Sequence, residues 1–402
     1  MYSEKEVLEF VKEEDVKFIK LSFCDLFGNQ KNVSIMDTEL ERALKYGIAI
    51  DASAIKGFGD ETHSDLYLHP DSSTISFLPW RPEHGRVIRM FCDVTYPDGT
   101  PFEGDSRLIL KNAVSFAQQN GLTFYFGPEM EFYLFKLDEH GNRTNEPYDN
   151  AGYMDIAPLD KGENIRREIC LMLTKMGISP ESSHHEEGPG QNEIDFRYSD
   201  PLTSADNAVA FCQAVKSVAA RNGLYADFSP KPIEGKPGNG FHINFSVTEK
   251  SGKDVLPCCI AGLLNRVQKS TLFFNPTENS YKRLGKNKAP SFISWSNENR
   301  SQLIRIPAAS GEFKRAEIRS PDPTANPYLT FALIIYAATE GVIRNEKLPK
   351  PADINLYKAT QEKLKRFSRI PSTLSEAINK AKGSGFIKKY LPEIVISTYT
   401  DR

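Results

Sequence analysis

Three short stretches of this sequence carry ionisable or polar residues two positions apart, the spacing at which side chains leave the same face of a β-strand. In Phe124-Tyr-Phe-Gly-Pro-Glu-Met-Glu-Phe-Tyr-Leu-Phe, Glu129 and Glu131 share one face while Met130 and Phe132 share the other. In Phe241-His-Ile-Asn-Phe-Ser-Val the shared set is His242, Asn244 and Ser246, and in Arg315-Ala-Glu-Ile-Arg it is Arg315, Glu317 and Arg319. A fourth stretch, from Ser182 to Phe196, packs His184, His185, Glu186, Glu187 and Glu193 around a Gly-Pro-Gly turn. Taken alone, a Glu-x-Glu pair fits the solvent face of a half-buried sheet. The density of the fourth stretch does not, because neighbouring carboxylates repel unless a cation sits between them. Glu129, Glu131, Glu186, Glu193, Glu317 and His242 therefore form a candidate hard-cation site, and its carboxylate-rich composition favours Mg²⁺ or Mn²⁺ over zinc.

Arg283, Arg300, Arg305, Arg315 and Arg319 follow within one polar, turn-rich segment. Guanidinium forks match phosphate and carboxylate oxygens. Cations and arginines in one place predict phosphoryl transfer, where catalysis is mostly positioning and charge neutralisation. No GxxxxGK[ST] loop is present, and Gly262 to Ser270 lacks the second glycine, so a nucleotide must be held by another fold.

These residues need a scaffold that brings distant strands together. The chain has 402 residues, enough for two domains. Residues 16 to about 98 are dominated by strand signals such as Val16-Lys-Phe-Ile-Lys-Leu-Ser-Phe, broken by turns at Gly28-Asn29 and Pro97-Asp98-Gly99, with one helical stretch from Asp37 to Tyr46. From Pro101 onward strands alternate with longer helices. The spacing of Ile165, Ile169, Met172 and Met176 predicts a helix over Glu163 to Met176, stopped by Gly177. The expected division is 1–100 and 101–402.

With 50 Lys plus Arg against 53 Asp plus Glu, the net charge of −3 exerts no pull toward nucleic acid or an anionic membrane. Six cysteines are scattered without a CxxC pair, as in a reducing compartment. Met1 to Asp15 is acidic and amphipathic, unlike a secretory leader. The longest apolar run, Tyr328 to Ala338, is about half the roughly 20 residues of a membrane span. A cytoplasmic protein is expected.

Seven segments, in order and across nearly the whole chain, resemble the bacterial type I glutamine synthetases: Gly127-Pro-Glu-Met-Glu-Phe, Ser183-His-His-Glu-Glu-Gly-Pro-Gly-Gln-Asn-Glu-Ile, Pro230-Lys-Pro, Gly238-Asn-Gly-Phe-His, Asn275-Pro-Thr-Glu-Asn-Ser-Tyr-Lys-Arg-Leu, Asn299-Arg-Ser and Arg319-Ser-Pro-Asp-Pro-Thr-Ala-Asn-Pro-Tyr-Leu. Ile50-Asp-Ala-Ser-Ala-Ile-Lys-Gly-Phe extends the match to the N-terminal region. The resemblance implies an α+β protein with an N-terminal β-grasp domain. A larger catalytic domain follows, its curved antiparallel sheet flanked by helices. It also implies a homo-oligomer, a dodecamer of two six-membered rings, with ATP, glutamate and ammonia as substrates and two or three Mg²⁺ or Mn²⁺ per site. By motif position, Glu131, Glu186 and Glu193 would ligate one metal, and Glu129, His242 and Glu317 another. Gly238, Arg283 and Arg319 would bind glutamate. Arg300, Arg305 and Arg315 would contact phosphate, Arg305 on the substrate side and Arg300 in a catalytic role. Glu181, Tyr198, Asn244 and Ser246 would line the nucleotide pocket, and Asp51 would reach a neighbouring subunit's site to attract ammonium. The implied chemistry is activation of glutamate as a γ-glutamyl phosphate, followed by attack of the amine.

The chain departs from that pattern on the amine side. Where the family has Val-Pro-Gly-Tyr-Glu-Ala-Pro after Tyr-Lys-Arg-Leu, this sequence has Gly285-Lys-Asn-Lys-Ala-Pro, one residue shorter and with Lys288 in the glutamate's place. A lysine neither attracts ammonium nor acts as a base at neutral pH without a large downward pKa shift. Ala54 replaces a serine. Glu187, or else Glu278, is the expected substitute carboxylate. Pro237, Asn244 and a shorter segment after Val247 are milder departures, and Tyr357 falls where some relatives carry a nucleotidylated tyrosine, in different surroundings. The leading expectation is a glutamate–ammonia ligase. The alternatives are a γ-glutamyl ligase for another amine and a non-catalytic ring-forming relative.

Overall fold

A computed structural model describes residues 3–81, 83–308 and 314–401. Ser3 caps the first helix, α1 (Glu4–Glu13), in a reciprocal box with Glu6, and the helix turns Val7 and Val11 inward. Six strands form the first sheet: β1 (Val16–Cys24), β2 (Gln30–Met36), β3 (Ile48–Asp51), β4 (Asp65–Pro70), β5 (Ser76–Phe77) and β6 (Arg86–Thr95). Their order is β2-β1-β6-β4-β3, with β5 also on β6, and β1 runs parallel to β6. The predicted Asp37–Tyr46 helix is a 3₁₀ turn at Asp37–Glu39 leading into α2 (Leu40–Tyr46).

The second sheet is built on β7 (Leu122–Leu137), which is long enough to pair with four partners. They are β8 (Arg143–Pro147), β10 (Gln191–Phe196), β11 (Leu224–Asp227) and β12 (Phe241–Glu249). Beyond β10 lies β9 (Pro180–His185). Beyond β12 lie β15 (Ala316–Ile318), β14 (Ile304–Ile306) and β13 (Trp295–Asn297). The expected α+β class is borne out, with one correction: β13 and β14 run parallel. Each is only three residues long, so the short segment 298–303 suffices to return the chain alongside itself, carrying Arg300 with it.

Helices α3 (Ser106–Gln119), α4 (Glu163–Lys175), α5 (Pro201–Arg221), α6 (Leu256–Phe274), α7 (Glu278–Arg283) and α8 (Pro327–Ile343) pack around this sheet, followed by shorter helices to Thr400. The apolar run Tyr328–Ala338 lies in α8, buried along nearly its whole length and capped by Asn326, whose side chain accepts from the Tyr328 and Leu329 amides. Among the described residues no helix is long and apolar enough to cross a membrane. Gly262 has a packing role: a Cβ there would lie 2.2 Å from the Ala337 carbonyl oxygen, and one on Gly341 would lie 2.2 Å from that of Cys258. These two glycines let α6 and α8 touch backbone to backbone. Predicted to run to Met176, α4 ends at Lys175, and Gly177 follows in the left-handed conformation at φ +84°.

Candidate active site

Strand register brings the sequence-distant residues together. Glu131 lies opposite Glu193, and Glu129 opposite Asp195 on one side and His242 on the other. Asn244 is opposite Glu317, which is opposite Arg305. One face of five adjacent strands is thus charged. On the other face Met130, Phe132, Ile194, Phe241, Ile243 and Ile318 are buried in the core. Apolar packing behind the sheet holds like charges side by side in front of it.

His242 Nδ1 sits 3.5 Å from Glu129 Oε2 and 3.7 Å from Glu317 Oε1, and ligand atoms of all three lie within 4.8 Å of one another. His184, Glu186 and Glu193 form a second such group, and Glu129, Glu193 and Asp195 a third. Glu131 faces the same cleft, but its Oε2 accepts from the Gly240 amide at 2.8 Å and from Gln191 Nε2 at 3.0 Å. His184 stands beside Glu186 and Glu193 in the second of these groups. Sequence reasoning assigned no role to His184, Asp195 or Gln191, although the period-two spacing of Gln191, Glu193 and Asp195 was there to find the latter two.

Burial and the nearby Glu186 push Glu131 up to about 8. Burial and the Glu131 and Asp195 carboxylates push Glu193 well above the ordinary range. Burial and Arg319 push His242 well below it, leaving the neutral imidazole that can ligate. Such shifts mark a donor set with surplus negative charge, and its carboxylates and neutral imidazole fit a hard divalent cation. Glu131 keeps its proton in the fold after the unfolded chain has lost it, so the metal-free protein loses stability as pH rises from about 4.5 toward about 8. A divalent cation bound there would displace those protons, so its stabilisation should grow with pH. The increase in melting temperature on adding Mg²⁺ should be larger at about pH 8.5 than at about pH 6 and vanish with chelator. Equal shifts at both pH values would contradict the assignment.

His185 has a different part. Its Nε2 is 2.8 Å from Asp149 Oδ1, both groups are buried, and Asp149 also accepts from the Gly190 amide at 2.9 Å. Asp160 is neutralised by Arg166 at 2.6 Å. This third carboxylate–histidine cluster is internally satisfied and pins the 186–190 turn.

Arginines border the acidic groups. Arg305 Nε donates to Glu317 Oε2 at 2.5 Å and Arg319 Nε to Oε1 at 3.1 Å. Arg315 Nε donates to Asn244 Oδ1 at 3.0 Å, and Asn244 donates in turn to Glu129 at 2.7 Å. Buried Arg283 donates to the Ser320 carbonyl at 2.8 Å, and Arg300 is exposed at the rim. The resulting cleft is about 170 Å³ and is lined also by Gly238, where a Cβ would meet the Pro230 carbonyl oxygen at 2.2 Å. Further along the same strands Ser246 lies opposite Tyr125, whose ring meets that of Tyr198 edge-on at 6.1 Å. Glu181 is exposed, 4.0 Å from Arg197, and does not line the cleft. Nor does Glu278, exposed in the first turn of α7. Asp51 lies at the far edge of the first sheet, exposed and bonded from Ser53, outside the cleft of its own chain.

The divergent segment forms a tight turn, with the Gly285 amide on the Ala289 carbonyl at 3.1 Å and the Ala289 amide on that of Lys286 at 2.9 Å. Asn287 and Lys288 adopt left-handed conformations, at φ +47° and +68°. This aims the Lys288 side chain across the cleft, where its ammonium forms an ion pair with Glu187 Oε1. Tyr357 stands close by, in the next chamber.

Residues 15–97 match the family model described as glutamine synthetase, beta-grasp domain, and residues 103–402 match glutamine synthetase, catalytic domain. The sequence is 44% identical to the glutamine synthetase of Clostridium saccharobutylicum, over 99% of this chain and 93% of the relative. It is 45% identical to that of Methanosarcina mazei, over 99% and 92%. Among solved structures, the GmaS/ADP complex matches with a TM-score of 0.89 at 27% identity, over 98% of this chain and 94% of the other. Apo GmaS matches at 0.87 and 28%, over 98% and 93%.

Proposed function

This chain belongs to the glutamine synthetase family, and from that membership we propose that it makes glutamine from glutamate and ammonia with ATP, by way of γ-glutamyl phosphate. The observation that carries this is the meeting of Glu129, His242 and Glu317 with Arg305 and Arg319 on one sheet face. Divalent metal use belongs to the family. Two or three Mg²⁺ or Mn²⁺, held by Glu129, His242 and Glu317 and by Glu131, Glu186 and Glu193, would neutralise charge developing on the phosphoryl oxygens.

Gly238, Arg283 and Arg319 receive glutamate and direct its γ-carboxylate at the γ-phosphorus. The arginines Arg300, Arg305 and Arg315 compensate the transferring phosphoryl group. Asn244, Ser246, Tyr198 and Glu181 receive the nucleotide; that the similar GmaS forms a complex with ADP supports nucleotide use by this fold. ADP then leaves, ammonia attacks the γ-carbonyl carbon, and phosphate departs. Glu187 takes the ammonium proton, assisted by Asp51 of a neighbouring copy in a dodecamer of two six-membered rings. The turn carrying Lys288 shields the acyl phosphate from water. The protein works in the cytoplasm.

The test is to incubate the purified protein with ATP, Mg²⁺ and glutamate, add ammonia or other amines singly, and record phosphate release and product mass. Ammonia-dependent glutamine is expected; nucleotide binding without turnover would refute the reading. Glu187→Gln should lower ammonia-dependent kcat/KM by roughly 10²-fold, the scale of a lost general base. Unchanged turnover would remove Glu187 from the mechanism.

A further inference from the structure

The acidic cleft is not the only space that Glu187 and Lys288 face. A second chamber of about 510 Å³ adjoins it, sharing Glu187, Asn287 and Lys288 and continuing to Ser291, Phe292 and Tyr357. The ion pair stands where the two spaces meet. The expected nucleotide-side residues Asn244, Ser246 and Tyr198 line neither space. Its volume is many times the roughly 30 Å³ of a water-sized molecule. Size therefore does not confine the acceptor to ammonia.

We propose that Lys288 sets acceptor specificity by charge: the chamber is the amine's entrance, and the Lys288 ammonium at its inner end rejects amines carrying a second positive charge. This rests on the ligase reading above. The side chains of Lys288 and Glu187 are 55% and 35% exposed, and ion pairs so open to water are weak, so an incoming amine can part them. Once parted, Glu187 faces the reacting nitrogen while Lys288 remains beside the chamber. A monoamine leaves only its alkyl chain there, against Phe292 and Leu356. A diamine places its distal ammonium beside Lys288, and like charges at close range are strongly disfavoured.

The decisive comparison is butylamine against the four-carbon diamine, which differ in the second charge. Product mass and phosphate release are measured with ATP, Mg²⁺ and glutamate, and ammonia is run in parallel. The wild type should turn over butylamine in preference to the diamine. Lys288→Glu should raise the diamine-to-butylamine ratio of kcat/KM by about tenfold or more, and Lys288→Gln by less in the same direction. The ratio is internal to each variant, so partial loss of folded enzyme does not move it, and Lys288→Gln supplies the answer if Lys288→Glu fails to fold. A ratio unchanged in both variants overturns the proposal, as does failure of every variant to use either amine while ammonia still reacts. Absence of ammonia-dependent glutamine in the wild type would instead overturn the ligase reading itself.

Discussion

Glu317→Gln is expected to lower kcat/KM by on the order of 10²- to 10³-fold at saturating Mg²⁺, the scale seen when a preorganised charge contact is removed from an active site. Glu317 is fully buried, and its two oxygens accept separately from Arg305 and Arg319 while facing His242. An amide keeps the shape, but it removes the negative charge and one acceptor. Two guanidinium groups then compete for one oxygen, and one proposed cation ligand is lost. The Mg²⁺-induced rise in melting temperature should shrink in the same variant. Turnover within tenfold of wild type, with the Mg²⁺ effect intact, would show that Glu317 only braces the arginines.

Arg107→Met is expected to cost roughly 3–5 kcal/mol of stability, the effect of removing one partner from a buried ion-pair network. The Arg107 side chain is 4% exposed and reaches Asp206 on α5 at 3.0 Å, Asp71 at 2.8 Å and Asp93 at 2.9 Å. Asp71 and Asp93 belong to the N-terminal sheet region, Asp206 to the helical layer behind β7. One guanidinium thus ties the two regions together, and methionine would leave Asp71 and Asp206 without it while Asp93 keeps Lys111 at 2.6 Å. A urea-unfolding midpoint compared with wild type measures the loss. A change below about 1 kcal/mol would mean that the carboxylates relax into water, as an exposed cluster can.

Two-residue alternation was sufficient to say which face Glu129, Glu131, His242, Asn244, Ser246 and Glu317 share, because alternation is a property of the extended backbone alone. Apolar partners at the intervening positions then oblige the charged face to look away from the core. Cation chemistry and the arginine cluster were legible for the same reason: they follow from residue type and local spacing, whereas the anomaly at Lys288 came from the resemblance to the glutamine synthetases. Pairing was not. Which strands lie side by side, and in what register, depends on contacts between residues far apart in the chain. Only the folded sheet could put Glu193 opposite Glu131 and turn Glu131 toward Gly240 while His184 closes on Glu186 and Glu193. His185 lies next to His184 in sequence, yet the fold engages it with buried Asp149. Nor does sequence distance say that Glu187, on the turn after β9, meets Lys288, on the turn after α7. The sequence determined the inventory of charges and their local direction; the tertiary structure decided which of them are neighbours, because electrostatic interaction falls with spatial distance and takes no account of separation along the chain.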